Sequence, residues 1–406
     1  MRTTILKSVT ILAILFCSIG FSQEKPKPNT KIVSSKGLSF PKKDYSLLAT
    51  KKMTNFNPAI HSFKFANTFS GVDGSQRYGG LCGGMVYATL DYYYANMKIP
   101  QQDYAPSNRY PLQSYIYKRQ AKSAQESNWD RWAELGANPD GIRNDEFFGW
   151  GIEMRNPGDR MNELKAMIDS GKPAPLGLFH SNEVEKYGYY KGGDHQVLAI
   201  GYDFGRYKGD KGNYIEDFKI FVSDPNYPEQ IMTLVADATN KCYHYIGGDK
   251  DAWLTYFVNS KYEKMTPPNI AELDSKKTLY VTTGTGHDDL RGGNDNLAIT
   301  IIYKDDTKEV FPNVNISGRW VSDYRETIPI TLNRTLTNKN DIKEILLECS
   351  FSGGTFGDNW DMSYFKITTA SEYDTIFERM GTIPRDGHRI IKRFTGDDRF
   401  LTFSIN

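Results

Sequence analysis

The chain has 406 residues, of which 39% are hydrophobic and 13% aromatic, enough to build the packed cores of two domains. Its 50 basic and 49 acidic side chains cancel, leaving no overall field to recruit nucleic acid or an anionic membrane. Electrostatics therefore names no partner, and function has to be read from motifs.

The first element in chain order is "MRTTILKSVTILAILFCSIGFSQ": Arg2 and Lys7, a short apolar run, then Gly20 and Ser22. This pattern predicts a signal peptide over 1–22, cleaved after Ser22, and a secreted or periplasmic product. The run is short for a membrane span, and Phe16 before Cys17 is bulky for a lipoprotein signal. Removal of Cys17 leaves Cys82, Cys242 and Cys349, an odd number in an oxidising compartment, so at least one thiol stays outside any internal disulfide.

Residues 23–54 are rich in Lys, Pro and Ser without periodicity and read as an extended linker. From 55 to 265 helical and strand patterns mix. "MVYATLDYYYANM", "SYIYKRQAKSAQ" and "RMNELKAMIDSGKP" read as helices, the last with Met161, Leu164, Met167 and Ile168 on one face and Gly171 as its stop. "PLGLF", "HQVLAIGYD" and "FKIFVSD" read as strands, the last two flanking a polar "KGDKG" turn. From 275 to 406 the texture becomes "TLYVTTG", "LAITIIYK", "RETIPITL", "KEILLECSF", "SYFKITTA" and "RFLTFSIN", short strands with turn residues between them. The expected fold class is an α+β domain followed by an all-β sandwich.

"GSQRYGGLCGGMVYATLDYYYA" places Cys82 between glycine pairs at a helix start. Unpaired N–H groups and the helix dipole favour a thiolate there, and Gly83 and Gly84 predict an uncrowded approach for a substrate carbonyl. Gln76, six residues upstream, is positioned to aim an amide at the same oxygen. If the strands beginning at His195 and ending at Asp224 fold back on each other, imidazole and carboxylate become cross-strand neighbours. A nucleophile, a base and an orienting group would then stand together. Asn226 competes with Asp224 for the third role. Asp194 should point to the opposite face of the strand, into solvent. His61, His180, His244, His287 and His388 have no such companions, and Trp253 reads as core.

Gln76, Cys82 at a helix start, His195 on a strand and Asp224 in "SDPNYP" together resemble the papain-like cysteine peptidase superfamily, over about residues 60–260. The Asp-Pro is closer to its bacteriocin-processing members. The resemblance implies a papain-like catalytic domain in which Cys82 is the nucleophile, His195 the base, Asp224 its orienting partner and Gln76 an oxyanion donor. It further implies a secreted thiol hydrolase of peptide or isopeptide amides, needing no cofactor and acting on a protein or peptide substrate. Gly83 departs from it, since an aromatic residue usually follows the nucleophile. A deamidase or transamidase using the same site is the nearest alternative, and a catalytically inert surface-binding protein is the alternative from another class.

"TGTGHDDLRGGNDN" offers Asp288, Asp289 and Asp295 on a turning loop, and "GDNWDMSYFKI" offers Asp358 near Trp360. Loops cluster at the ends of a sandwich, so these four are candidate calcium ligands. This half resembles the PLAT-like β-sandwich, which implies attachment to a lipid, glycan or protein surface.

Overall fold

The computed structural model describes residues 50–405 apart from 74–75, 126, 139–140, 155–158, 181–192, 248–250, 352–358 and 370–373. The expected signal peptide, nearly all of the expected linker, most of "YGYYKGGDH" and Asp358 lie outside the described residues.

In the first half, β1 (Lys51–Met53) and α1 (Pro58–His61) precede a hairpin of β2 (Ser70–Asp73) and β3 (Gln76–Gly79). Five helices follow: α2 (Cys82–Ala95), α3 (Pro111–Ser123), α4 (Ser127–Gly136), α5 (Asn144–Ile152) and α6 (Arg160–Asp169). The main strands are β4 (Ala174–Phe179), β5 (His195–Asp203), β6 (Lys219–Ser223), β7 (Met232–Asp237), β8 (Cys242–Tyr245), β9 (Ala252–Trp253) and β10 (Thr255–Val258). They form one antiparallel sheet in the order β10-β4-β5-β6-β7-β8-β9, with β1 added along the far end of β5. The α+β reading of this half holds. Because β1 pairs Lys51–Met53 with Gly201–Asp203, folded structure begins inside the stretch expected as linker.

Helix α2 is apolar around most of its circumference, which demands burial on every side. Leu81, Met85, Ala88 and Tyr92 pack into one cluster with Phe63, Phe65 and Leu112, while Val86, Tyr87 and Leu90 pack against Leu198 and Ile200 of β5. The helix ends at Asn96 in the left-handed region (φ 52°), a conformation asparagine tolerates. Its one buried charge, Asp91, is fully partnered. Arg119 Nε lies 2.7 Å away, Tyr115 and Tyr262 each donate at 2.6 Å, and the Met265 N–H donates at 2.9 Å. The segment leaving the first half is thereby pinned to the helix that carries Cys82.

The second half contains β11 (Thr278–Thr285), β12 (Asn296–Tyr303), β13 (Lys308–Phe311), β14 (Arg325–Thr331), β15 (Ile342–Ser350) and β16 (Trp360–Thr369), then β17 (Thr375–Met380), β18 (Ile383–Arg385), β19 (His388–Ile390), β20 (Lys392–Phe394) and β21 (Phe400–Ser404). One sheet runs β14-β11-β16-β17 with β20 on β16, and the other β13-β12-β15-β21. Alternation sends Leu297, Ile299, Ile301 and Tyr303 of β12 inward, opposite Val281, Ile328, Phe365 and Ile367. Trp320 and Trp360 meet edge-on in this core, 5.9 Å apart.

The segment between α2 and α3 enters the second half directly. Pro106 bridges to Thr327, Trp320 Nε1 donates to Ser107 Oγ at 3.2 Å, and the Tyr110 hydroxyl donates to the Val314 carbonyl at 3.0 Å.

Candidate active site

Three elements converge on one point: the N-terminus of α2, the start of β5, and the chain just beyond β6. The β5–β6 connection is longer than a tight turn about "KGDKG", since residues 204–218 separate the strands and include a 3-10 turn at Ile215–Asp217. The expected proximity survives because the ladder pairs Leu198 with Ser223, leaving Asp224 one step beyond and close to the beginning of β5. His195 Nε2 and Asp224 Oδ1 are 2.8 Å apart, both buried. Cys82 is a further hydrogen-bond and charge partner of His195.

Burial alone would lower the His195 pKa, but the Asp224 charge and hydrogen bond, joined by Cys82, hold it well above the ordinary imidazole value. Burial alone would raise Asp224. The imidazolium, the Tyr245 hydroxyl and the Asn226 N–H outweigh that and hold it below the usual carboxylate range. The pair is therefore charged, a buried ion pair with the thiol beside it.

Of the two candidates for the third role, Asp224 is the one bonded to His195 Nε2, and the Asn226 backbone N–H donates to Asp224 Oδ1 at 2.7 Å. Asp194 is exposed and accepts the His180 N–H, as expected. Gln76 begins β3 opposite Asp73, five residues before the helix cap; its side chain lies outside the described residues.

The glycine pair after Cys82 has a different purpose from the one expected. Gly83 and Gly84 are buried. A Cβ on Gly83 would stand 2.2 Å from Ser123 Oγ and 2.3 Å from Gln196 Nε2, and one on Gly84 2.2 Å from the Ile116 carbonyl. They let α2 lie against α3 and β5, so the substrate side of the helix start is not where they face. The Gly84 N–H is already bonded to Gln120 Oε1 at 2.7 Å.

Four neighbours of these residues were missed in the sequence. The Asn67 N–H donates to the Pro225 carbonyl at 2.9 Å, and its Oδ1 accepts the Leu81 N–H at 2.5 Å; it ties the residue after Asp224 to the residue before Cys82. Tyr245 donates to Asp224 Oδ2 at 2.6 Å. Trp253 lies nearly parallel to the His195 ring, centroids 6.2 Å apart, so it is core and site at once. Gln120 completes the set. Only their spatial neighbours mark them, and no local motif in the sequence does.

Cys82 is partly exposed, Cys242 and Cys349 are buried, and none of the three is in a disulfide. Burial pushes the Cys349 thiol well up, the opposite of activation.

The candidate calcium loops do meet, since the Asp361 N–H donates to the Asp288 carbonyl at 3.1 Å. Their carboxylates are occupied by arginine: Arg393 reaches Asp288 at 2.7 Å and Asp361 at 2.9 Å, and Arg319 pairs with Asp289. Asp295 is half-buried on the neighbouring turn. Among the described residues no three acidic, His or Cys side chains gather as a metal-ligand group. Of the four candidate ligands, Asp288 and Asp289 are thus paired with guanidinium groups, and Asp358 lies outside the described residues.

No family model and no curated protein matches the chain. Among solved structures, an alpha-toxin from an avian strain of Clostridium perfringens is similar at 16% identity and a TM-score of 0.25, over 34% of each chain. The alpha toxin of Clostridium absonum is similar at 18% and 0.25, over 32% of this chain and 31% of that one. A LOX deletion variant in complex with arachidonate is similar at 13% and 0.23, over 32% of this chain and 16% of that one. The chain thus spans about a third of either toxin and less of the LOX protein.

Proposed function

We propose that the chain is a papain-like thiol hydrolase of peptide or isopeptide amides, with Cys82, His195 and Asp224 as its catalytic triad. The observation that carries this reading is the buried His195–Asp224 pair, bonded at 2.8 Å, with the partly exposed Cys82 at a helix N-terminus as its other partner. An imidazole held between a carboxylate and a thiol is placed to accept the thiol's proton as the sulfur attacks.

In the reaction, the Cys82 sulfur forms a bond to the amide carbonyl carbon, and the oxygen takes up the charge toward the Cys82 backbone N–H and Gln76. The C–N bond breaks as His195 gives its proton to the leaving amine, leaving a thioester on Cys82. Water attacks that thioester while His195 accepts its proton, releasing a carboxylic acid and restoring the thiol pair. Asp224 keeps one imidazole tautomer and stabilises the cation throughout.

Turnover of a peptide library by the mature protein tests the reading. Cys82→Ala and His195→Ala should abolish cleavage, and Asp224→Asn should reduce it by about 10²-fold or more with the fold intact. Cleavage that persists in Cys82→Ala would refute it.

A further inference from the structure

We infer that Tyr245 is a positioning residue for this triad, orienting the Asp224 carboxylate from behind and bracing the ring that lies over His195. The inference rests on the triad reading above. Tyr245 ends β8, and its hydroxyl donates to Asp224 Oδ2 at 2.6 Å. Oδ1 is left to His195 Nε2 at 2.8 Å and the Asn226 N–H at 2.7 Å. With donors on both oxygens the carboxylate cannot rotate about its Cβ–Cγ bond without breaking a buried hydrogen bond. The same phenol ring meets Trp253 edge-on at 5.2 Å, and Trp253 lies over the imidazole. Tyr245 therefore touches both supports of His195, through a hydrogen bond on one side and an aromatic contact on the other.

This placement has an electrostatic consequence. A phenol hydrogen bond draws charge from the carboxylate, so it moderates the pull of Asp224 on the imidazolium. The phenol remains a donor, because burial and the neighbouring Asp224 charge, with Tyr227 and Asp251 further off, push its pKa well up. The groups facing His195 are Cys82 from α2 and Asp224 from beyond β6. Those facing Asp224 are His195, Tyr245 and the Asn226 N–H. Loss of the hydroxyl leaves a more basic carboxylate, and the imidazolium should keep its proton to higher pH.

The test is the rate of Cys82 alkylation by iodoacetamide as a function of pH in the full-length protein. Tyr245→Phe should raise the upper midpoint, where the imidazolium is lost, by about half a pH unit or more. 3-Fluorotyrosine placed at 245 keeps the shape with a stronger donor and should shift the midpoint the other way. If Tyr245→Phe melts like a folded protein and its midpoint is unmoved, the inference is overturned. Should the Phe variant not fold, an unmoved midpoint with fluorotyrosine overturns it equally. A wild-type profile that does not depend on His195 would instead refute the triad itself, so the two failures are distinct.

Discussion

Gly83 shows how little room the site leaves at the residue scale. The atoms that a Cβ would strike, Ser123 Oγ and Gln196 Nε2, are bonded to each other at 3.1 Å, so neither can move away cheaply. Gln196 also follows His195 directly, and strain at one reaches the other. Gly83→Ala should cost about 1–3 kcal/mol in thermal or denaturant unfolding, the usual range for overpacking, and should slow Cys82 chemistry in the fraction that folds. Ser123→Gly in the same chain should recover part of both, because it removes the nearest obstacle. Unchanged stability in the single variant would mean that α2 is not seated on α3 and β5 in this way. An aromatic side chain likewise has no space at position 83.

At the scale of elements, those with strong periodicity were legible in the sequence. The α6 stripe of Met161, Leu164 and Ile168 is buried and Gly171 stops the helix at φ 80°; the six β-rich runs after residue 277 became β11, β12, β14, β15, β16 and β21. What was not legible lacked such a pattern. Helix α5 carries Phe147, Phe148 and Trp150 in aromatic packing rather than on a clean stripe, and β1 is three exposed residues recruited by an open length of β5. At the site, the meeting of Cys82, His195 and Asp224 was legible because each sits at or next to an element boundary. Tyr245 and Asn67 were not, since one is the last residue of a short strand and the other lies in irregular chain, and each acquires its role only through a partner distant in sequence. The glycines were visible, yet whether they face substrate or a neighbouring helix depends on packing that local sequence does not encode.

At the scale of the whole molecule, the two halves are joined through the chain that leads from α2 into α3. Glu326 of β14 is buried at this junction, where Ser107 hydrogen-bonds to it and Trp320 in turn donates to Ser107. Burial pushes its carboxyl up to about 8, only partly opposed by the Ser107 bond. The folded protein therefore holds a proton that the unfolded chain releases near 4.5. Stability from this group is fully present below that value and is lost as pH rises through about 8, a change on the order of a few kcal/mol. Glu326→Gln should flatten this part of the stability–pH curve measured by chemical denaturation, whereas a parallel curve would place the carboxyl outside the junction. Because α3 also supplies Gln120 to the Gly84 N–H, loosening the junction acts on the helix that carries the nucleophile. The central claim concerns that nucleophile, and burial of Cys242 and Cys349 would by itself make Cys82 the fastest thiol to label. The deciding measurement is therefore iodoacetamide alkylation of Cys82 at about pH 6, below the ordinary thiol pKa of roughly 8.5, in the native protein and in His195→Ala. Rapid labelling that falls by about tenfold or more without the imidazole is the result this account requires, and slow labelling, or labelling indifferent to His195, would contradict it.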